Sequence, residues 1–259
     1  MATFATHLFW AYGGLSGLET LSVRSFVAQG YQPIVWTYGD LPNLPAGATA
    51  RDAREVLPES AVFVNKAGSY ASFADLFRYE LLQRFGGLWS DTDVIAIAGP
   101  AALPDAPFLV TERWKDGHPA IAAAKSLARK ALGIQRAPRI NNNVIFVPQP
   151  QEGDLIDLAL AYARRFPKDR VVWSELGPEL LTAIVRIHST HGFLLQPPAF
   201  ANPIPHWECP ARLLSPDAAM PEGTAFLHCY NETWREAKID KNVPFPKGSL
   251  MASLAERYL

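Results

Sequence analysis

Asp91 and Asp93 flank a single threonine. Carboxylates spaced this way can place one oxygen on a divalent cation and the other on the same ion or on a ligand hydroxyl. Hard oxygen ligands suit magnesium or manganese, ions that keep positions open for diphosphate oxygens. A D-x-D triplet alone is a weak signal, because solvated turns often carry one. Its setting here is less ordinary: Leu88-Trp89-Ser90 precedes it as a short apolar strand, and Val94, Ile95 and Ile97 follow it. Charges within so apolar a stretch are costly unless paired or metal-bound.

Other groups could join the pair. Asp75 and Arg78 stand three apart, on one helical face, amid Phe73, Leu76, Phe77, Leu81 and Leu82. That spacing fits a structural ion pair and a ligand-binding pair equally well. His228, in the segment His-Cys-Tyr-Asn-Glu-Thr-Trp, could bring a third metal ligand from far along the chain, although a lone histidine is more often structural. Asn141 and Asn142 precede an apolar run; turn chemistry is their default, and hydrogen bonding to sugar hydroxyls the alternative. Trp10, Tyr12 and Tyr38 fall around the ends of the first two strands, where aromatic rings either stack on a base or cover the sheet.

Positioning these groups requires a frame. Ser72 with Asp75 three residues on predicts a helix start of the capping-box kind, and Gly86-Gly87 predicts its end. At the N-terminus, an apolar strand over Thr3–Trp10, a helix over Ser16–Gln29 and a strand over Gln32–Tyr38 form a βαβ unit. Such a unit implies a parallel sheet with a right-handed crossover and ligands at the carboxyl ends of its strands. Residues 41–60 read as an irregular excursion with at most a short strand or helix. Further strands are expected at Phe108–Val110, Val144–Val147 and Ala225–Leu227, the last delivering His228 to its end. Helices are expected at Asp154–Phe166, at Glu179–His188 with Pro178 in the first turn, and at Asn231–Lys238. Ala120–Leu132 has helix-forming composition but is bracketed by Pro119 and Pro138, and the prolines between 197 and 216 argue for extended segments and turns.

Composition narrows the function classes. With 259 residues, 49% of them hydrophobic, the chain can bury one sizeable α/β core, and no repeat or linker divides it. A formal net charge of −1 argues against nucleic acid as a partner. Cys209 and Cys229 form no CxxC or zinc-type spacing, which fits a reducing compartment. No secretory leader and no membrane-length apolar run is legible, so a cytoplasmic location is expected, at the inner face of a membrane if the substrate is attached there. No GxSxG, HExxH, P-loop or Rossmann GxGxxG pattern offers a competing chemistry.

Asp75-Leu-Phe-Arg78-Tyr79 followed by Phe85-Gly86-Gly87-Leu88-Trp89-Ser90-Asp91-Thr92-Asp93 resembles the DXD-containing sugar-binding region of glycosyltransferases. That group, of the family 32 type, includes bacterial capsule and lipopolysaccharide transferases and Golgi α-1,4-glycosyltransferases. The N-terminal stretch Phe9–Tyr31, the Asn141–Phe146 strand, Gly177-Pro178 and His228–Trp234 are similar to family features as well. Trp89 departs from the pattern, since tyrosine is commoner there.

The resemblance implies a GT-A-type, Rossmann-like, mainly parallel sheet flanked by helices in a single domain. Residues 1–97 would form the nucleotide-binding half, and 98–259 the acceptor side with a C-terminal metal and diphosphate segment. It implies a nucleotide-diphosphate sugar donor with uridine or guanosine as base, a glycan or glycolipid acceptor, a divalent metal (Mn2+ or Mg2+) and retention of configuration. By the same resemblance Asp91, Asp93 and His228 would hold the metal. Asp75 and Arg78 would hold the donor sugar, and Trp234 would contact the diphosphate. Asn142 joins the two aspartates among the catalytic candidates, and Trp10, Tyr12 and Tyr38 are the donor-binding ones. A sugar-nucleotide hydrolase or nucleotidyltransferase with a similar metal site, and a non-catalytic nucleotide-sugar-binding protein, are the alternatives.

Overall fold

A computed structural model describes residues 4–66, 68–115, 137–242 and 244–259, together with residues 125, 127, 128, 131 and 132. Strand β1 (Thr6–Phe9), helix α1 (Gly17–Ala28) and strand β2 (Pro33–Thr37) form the expected βαβ unit, with β1 and β2 parallel and Thr6 opposite Pro33. The start of α1 is fixed by a capping box between Ser16 and Glu19, which satisfies amides that have no partner within the helix. Strand β3 (Thr49–Asp52) is the single strand within the irregular excursion, and it extends the sheet in parallel beyond β2.

Helix α2 (Ala71–Phe85) and strand β4 (Gly87–Ser90) follow. The helix starts one residue before Ser72, and no side chain caps it. Ser72 is buried within hydrogen-bond reach of the Asn65 side chain, and Asp75 turns away from the helix end to the partners described below. The expected capping box is therefore absent: Ser72 lies inside a helix that begins at Ala71, and Asp75 is drawn to Asn142 and Arg78. The stop is as expected. Gly86 and Gly87 have φ of 62° and 89°, and a Cβ on Gly87 would lie 2.5 Å from the Ala5 carbonyl oxygen, so the reversal needs glycine for both conformation and space.

Strand β6 (Phe108–Glu112) and strand β7 (Arg139–Val147) pair antiparallel, β7 also pairs antiparallel with β4, and β8 (Leu194–Gln196) lies parallel to β6. The result is one seven-stranded, mainly parallel sheet in the order β3-β2-β1-β4-β7-β6-β8. A two-stranded antiparallel sheet of β5 (Val94–Ala96) and β9 (Phe226–His228) stands beside it and sets His228 opposite Val94. Helix α1 docks this small sheet: the Ser22 hydroxyl donates to the Val94 carbonyl, and Ser25 Oγ accepts from the Ala96 amide at 2.8 Å.

Helix α3 (Leu155–Arg165), capped by the Asp154 side chain, and helix α4 (Pro178–His188) pack with α2 in the largest apolar cluster, which includes Phe73, Phe77, Trp89, Ile145, Leu160 and Leu181. Short helices α5 (Pro198–Ala201) and α6 (Asn231–Glu236) precede a C-terminal helix, α7 (Leu250–Tyr258), which the sequence pattern does not announce. The stretch Ala120–Leu132, expected to be helix-forming, lies almost wholly outside the described residues. Among the described residues, no helix is long and apolar enough to cross a membrane.

Candidate active site

Strand β4 ends at Ser90 and β5 begins at Val94, so Asp91 and Asp93 occupy the link between the large sheet and the small one. The Asp91 amide donates to the Asn143 carbonyl at 2.8 Å, and the Cys229 amide donates to the Asp93 carbonyl at 2.9 Å. Each aspartate is thereby tied to a different sheet. Pairing β5 with β9 brings His228 to the same point. One ligand atom each from Asp91, Asp93 and His228 lies within 4.8 Å of the others, and His228 Nε2 is 3.5 Å from Asp93 Oδ2.

A second group abuts this one. Arg78, only 3% exposed, donates from Nη2 to Asp91 Oδ1 at 2.9 Å and from Nη1 to the Asn142 carbonyl. Its guanidinium carbon lies 4.8 Å from the centre of the Trp89 ring, and Nη2 is 3.4 Å from Asp75 Oδ1. Asn142 Nδ2 donates to that same Asp75 oxygen at 2.7 Å. Asp75, Arg78, Asn142 and Asp91 thus form one buried network that runs into the Asp91–Asp93–His228 set.

Asn142 reaches it through an irregularity in β7. Val110 is opposite Asn141 and Leu109 is opposite Ile145, so residues 142–144 have no counterpart on β6. Such a bulge bends the strand and re-aims side chains. Turn chemistry, the default expectation for Asn141 and Asn142, is not what the structure shows: both lie inside the strand. Asn141 instead donates to buried Glu112 at 2.8 Å and accepts from the Asn143 amide at 3.0 Å.

Burial sets the electrostatics. It pushes the Asp91 carboxyl up to about 6; Arg78 offsets part of this, and Asp93 adds to it. Burial also raises Asp75, against the opposing pull of Arg78 and Asn142. For Asp93 burial is outweighed by the His228 ring and by the Asn231 amide, which donates to Oδ2 at 2.6 Å, and the carboxyl falls below its ordinary range. Two carboxylates and an imidazole nitrogen converging on one point repel one another unless a proton or cation lies between them. Two oxygens and one nitrogen also suit a divalent ion with positions left for further oxygen ligands. The residues fit the implied metal.

The remaining sequence candidates divide. Trp10 is half-buried, its indole donating to the Gly13 carbonyl at 3.1 Å, with the Lys241 ammonium 6.0 Å from the ring centre. Tyr12 is 40% exposed and lies 6.0 Å from the Tyr38 ring and 5.9 Å from Tyr70. Tyr38 is buried, with its hydroxyl donating to the Leu57 carbonyl at 2.9 Å. Trp234 is placed differently from the expectation. It is 0% exposed, packs in the cluster that holds Leu18, Ile95 and Met251, and gives its indole N–H to the Cys229 carbonyl at 2.9 Å, so it has no surface for a diphosphate.

Three contributors have no site role in the sequence reading, although Gly177 is named there with Pro178 as similar to a family feature. Gly177 sits where a Cβ would lie 2.6 Å from Asn142 Nδ2 and 3.0 Å from both Asp75 carboxylate oxygens, so the backbone closes over this network only because it is glycine. Lys241 joins Glu19 and Asn231, the residue whose amide holds Asp93. Asn202 lies behind His228. For Gly177 the one available signal was the Gly-Pro pair at the start of α4; Asn202 reaches His228 across 26 residues of sequence, and Lys241 reaches Glu19 across 222 and Asn231 across 10.

No family model and no curated protein matches the sequence. Among solved structures, the galactosyltransferase LgtC in complex with donor and acceptor sugar analogues aligns over 98% of this chain and 93% of its own, at 13% identity and a TM-score of 0.50. The fold is that of the GT-A glycosyltransferases. The apo form of the glycosyltransferase GlyE of Streptococcus pneumoniae TIGR4 aligns over 99% of this chain and 60% of its own, at 12% identity and a TM-score of 0.49. The PaToxG glycosyltransferase aligns over 71% and 69%, at 17% identity and a TM-score of 0.44. At 13% identity the likeness to LgtC shows the fold alone, and the chemistry rests on the site itself.

Proposed function

We propose that this chain is a metal-dependent glycosyltransferase that moves a hexose-type sugar from a nucleotide-diphosphate donor to a glycan or lipid-linked acceptor, with retention of configuration. The observation that carries the reading is the junction of the partly buried set Asp91–Asp93–His228 with the buried set Asp75–Arg78–Asn142, through the Arg78–Asp91 pair. One set suits a cation and the other suits sugar hydroxyls, and a sugar nucleotide needs both side by side. A GT-A-type frame, shared with a galactosyltransferase that was solved with donor and acceptor sugar analogues, supports it.

Asp91, Asp93 and His228 would hold Mn2+ or Mg2+, and the mixed oxygen and nitrogen set favours manganese. Such an ion supplies fixed positive charge beside the diphosphate, which gains negative charge as the glycosidic bond breaks. Asp75, with its second carboxylate oxygen next to Gly177, and Arg78 would orient the donor sugar, and Arg78 bridges Asp75 to Asp91. Trp10 and the exposed Tyr12 ring offer stacking surface for the base. Residues 1–97 supply most of this donor half. Residues 98–259 contribute Asn142, His228 and the acceptor side.

Within this set every carboxylate already has a protein partner: Asp75 and Asp91 with Arg78, and Asp93 with Asn231. That supports front-side attack, in which the leaving phosphate takes the acceptor's proton, over a double displacement through a free carboxylate. We place the protein in the cytoplasm, at the inner face of a membrane where the acceptor is lipid-linked. A thermal-shift screen of uridine and guanosine sugar nucleotides, with and without Mn2+, tests the donor site. Stabilisation by at least one donor that requires the metal is expected; no metal-dependent response to any donor would refute the assignment.

A further inference from the structure

His228 binds a cation well only if its Nε2 lone pair is free, and the proton must then sit on Nδ1. Nδ1 lies 3.2 Å from Asn202 Oδ1. Which end of the Asn202 amide faces His228 is decided at its other end, where Nδ2 donates to the Thr111 carbonyl at 3.0 Å, and a carbonyl can only accept. The oxygen side also receives the Asn143 Nδ2 donor and the Tyr230 hydroxyl, both at 3.2 Å. Turning the amide over would set two NH2 groups against each other and abandon Thr111. Asn202 therefore offers His228 an acceptor and nothing else.

The ring has a competing acceptor on its opposite side. Asp93 Oδ2 is 3.5 Å from Nε2, and a proton drawn there would occupy the position a metal needs. Asn202 is well built for the contest. It is 1% exposed, its backbone N–H donates to the Pro198 carbonyl at 2.8 Å, and it stands between Pro197-Pro198 and Pro203 in a segment with little backbone freedom. The Tyr230 ring, 3.8 Å from the His228 ring, keeps the imidazole from swinging away.

We propose that Asn202 is a positioning residue: by accepting the Nδ1–H of His228 it presents Nε2, unprotonated, to the cation held with Asp91 and Asp93. The role rests on the metal reading of the site. Partners that orient a metal-binding histidine through its other nitrogen typically change metal affinity by about 10- to 100-fold when removed.

Mn2+ affinity, by titration calorimetry, and the 14N coupling of a directly bound imidazole nitrogen, by pulsed EPR of the Mn2+-loaded protein, test it without any measurement of activity. Wild type should bind Mn2+ and show the coupling. N202L and N202S, which lack an acceptor within reach of Nδ1, should bind about 10- to 100-fold more weakly and lose the coupling. N202D, which restores an acceptor oxygen, should recover both. The serine variant carries the test should the leucine variant fail to fold. Wild-type affinity and an intact coupling in N202S would overturn the role of Asn202 and leave the metal site standing. A wild-type protein that binds no Mn2+ would overturn the metal reading, and the role of Asn202 with it.

Discussion

Replacing Arg78 with methionine probes the link between the two halves of the site. Methionine roughly keeps the length of the side chain and its packing on Trp89 but removes the charge that Asp75 and Asp91 share. Breaking a buried pair by deleting one partner costs about 3–5 kcal/mol, because the other charge stays buried without compensation. Here two carboxylates lose their cation, and the Asn142 carbonyl loses a donor, so the upper end of that range is expected at pH 8. The loss should shrink in acid. With Arg78 present Asp91 already titrates at about 6, above the ordinary 3.8, so the folded state holds its proton more tightly than the unfolded state does. Stability from this group is greatest below the ordinary value and falls as pH rises toward 6. At about 1.4 kcal/mol per unit, leaving Asp91 ionised costs the wild type about 3 kcal/mol above that point. Without Arg78 the group titrates higher still, and the variant regains more than the wild type on acidification. Urea unfolding followed by circular dichroism at pH 8 and pH 5.5 measures both quantities. A cost below about 1 kcal/mol at pH 8, or a larger cost at pH 5.5, would refute the buried-pair reasoning.

Three other outcomes follow from the same structure. G177A should lower donor binding at least tenfold while costing about 1–3 kcal/mol of stability, since its Cβ would press on Asn142 and Asp75; nucleotide-sugar titration beside a denaturation curve separates the two effects. K241M leaves the fully buried Glu19 carboxylate without its cation, and a loss of about 3 kcal/mol is expected in chemical unfolding. His7 is held down to about 4 by burial, so the folded state resists the proton that the unfolded chain accepts at 6.5. Stability is then complete above 6.5 and drains as pH falls toward 4, by about 2 kcal/mol between pH 7 and pH 5. H7L should lack that component when the two are compared by urea unfolding at both values.

Much of the donor half was legible because its signals are local. The Gly86-Gly87 stop, the short strand after it and the D-x-D at the strand end are consecutive residues, and each needs only neighbours in sequence to act. The start of α2 lies within one residue of the expectation, but the capping box does not form, because Ser72 falls inside the helix and Asp75 is drawn to Asn142, a partner that propensity rules cannot see. For Asn141 and Asn142 turn chemistry is the default, since the residue type favours it; strand pairing on both sides of β7 overrides that preference and leaves a bulge. The family resemblance implies a diphosphate contact for Trp234, but a short helix turns its ring into the core. Asn202 carries no signal of its own, because its meaning lies in four partners, each at least 26 residues away in sequence.

The most direct test of the proposed chemistry is release of nucleoside diphosphate from sugar-nucleotide donors by the wild type and by D93N, each with Mn2+ and with EDTA. Release that requires Mn2+, yields the diphosphate and is abolished in a folded D93N protein is the predicted result. Release that persists in EDTA, activity retained by D93N, or a nucleoside monophosphate product would contradict it.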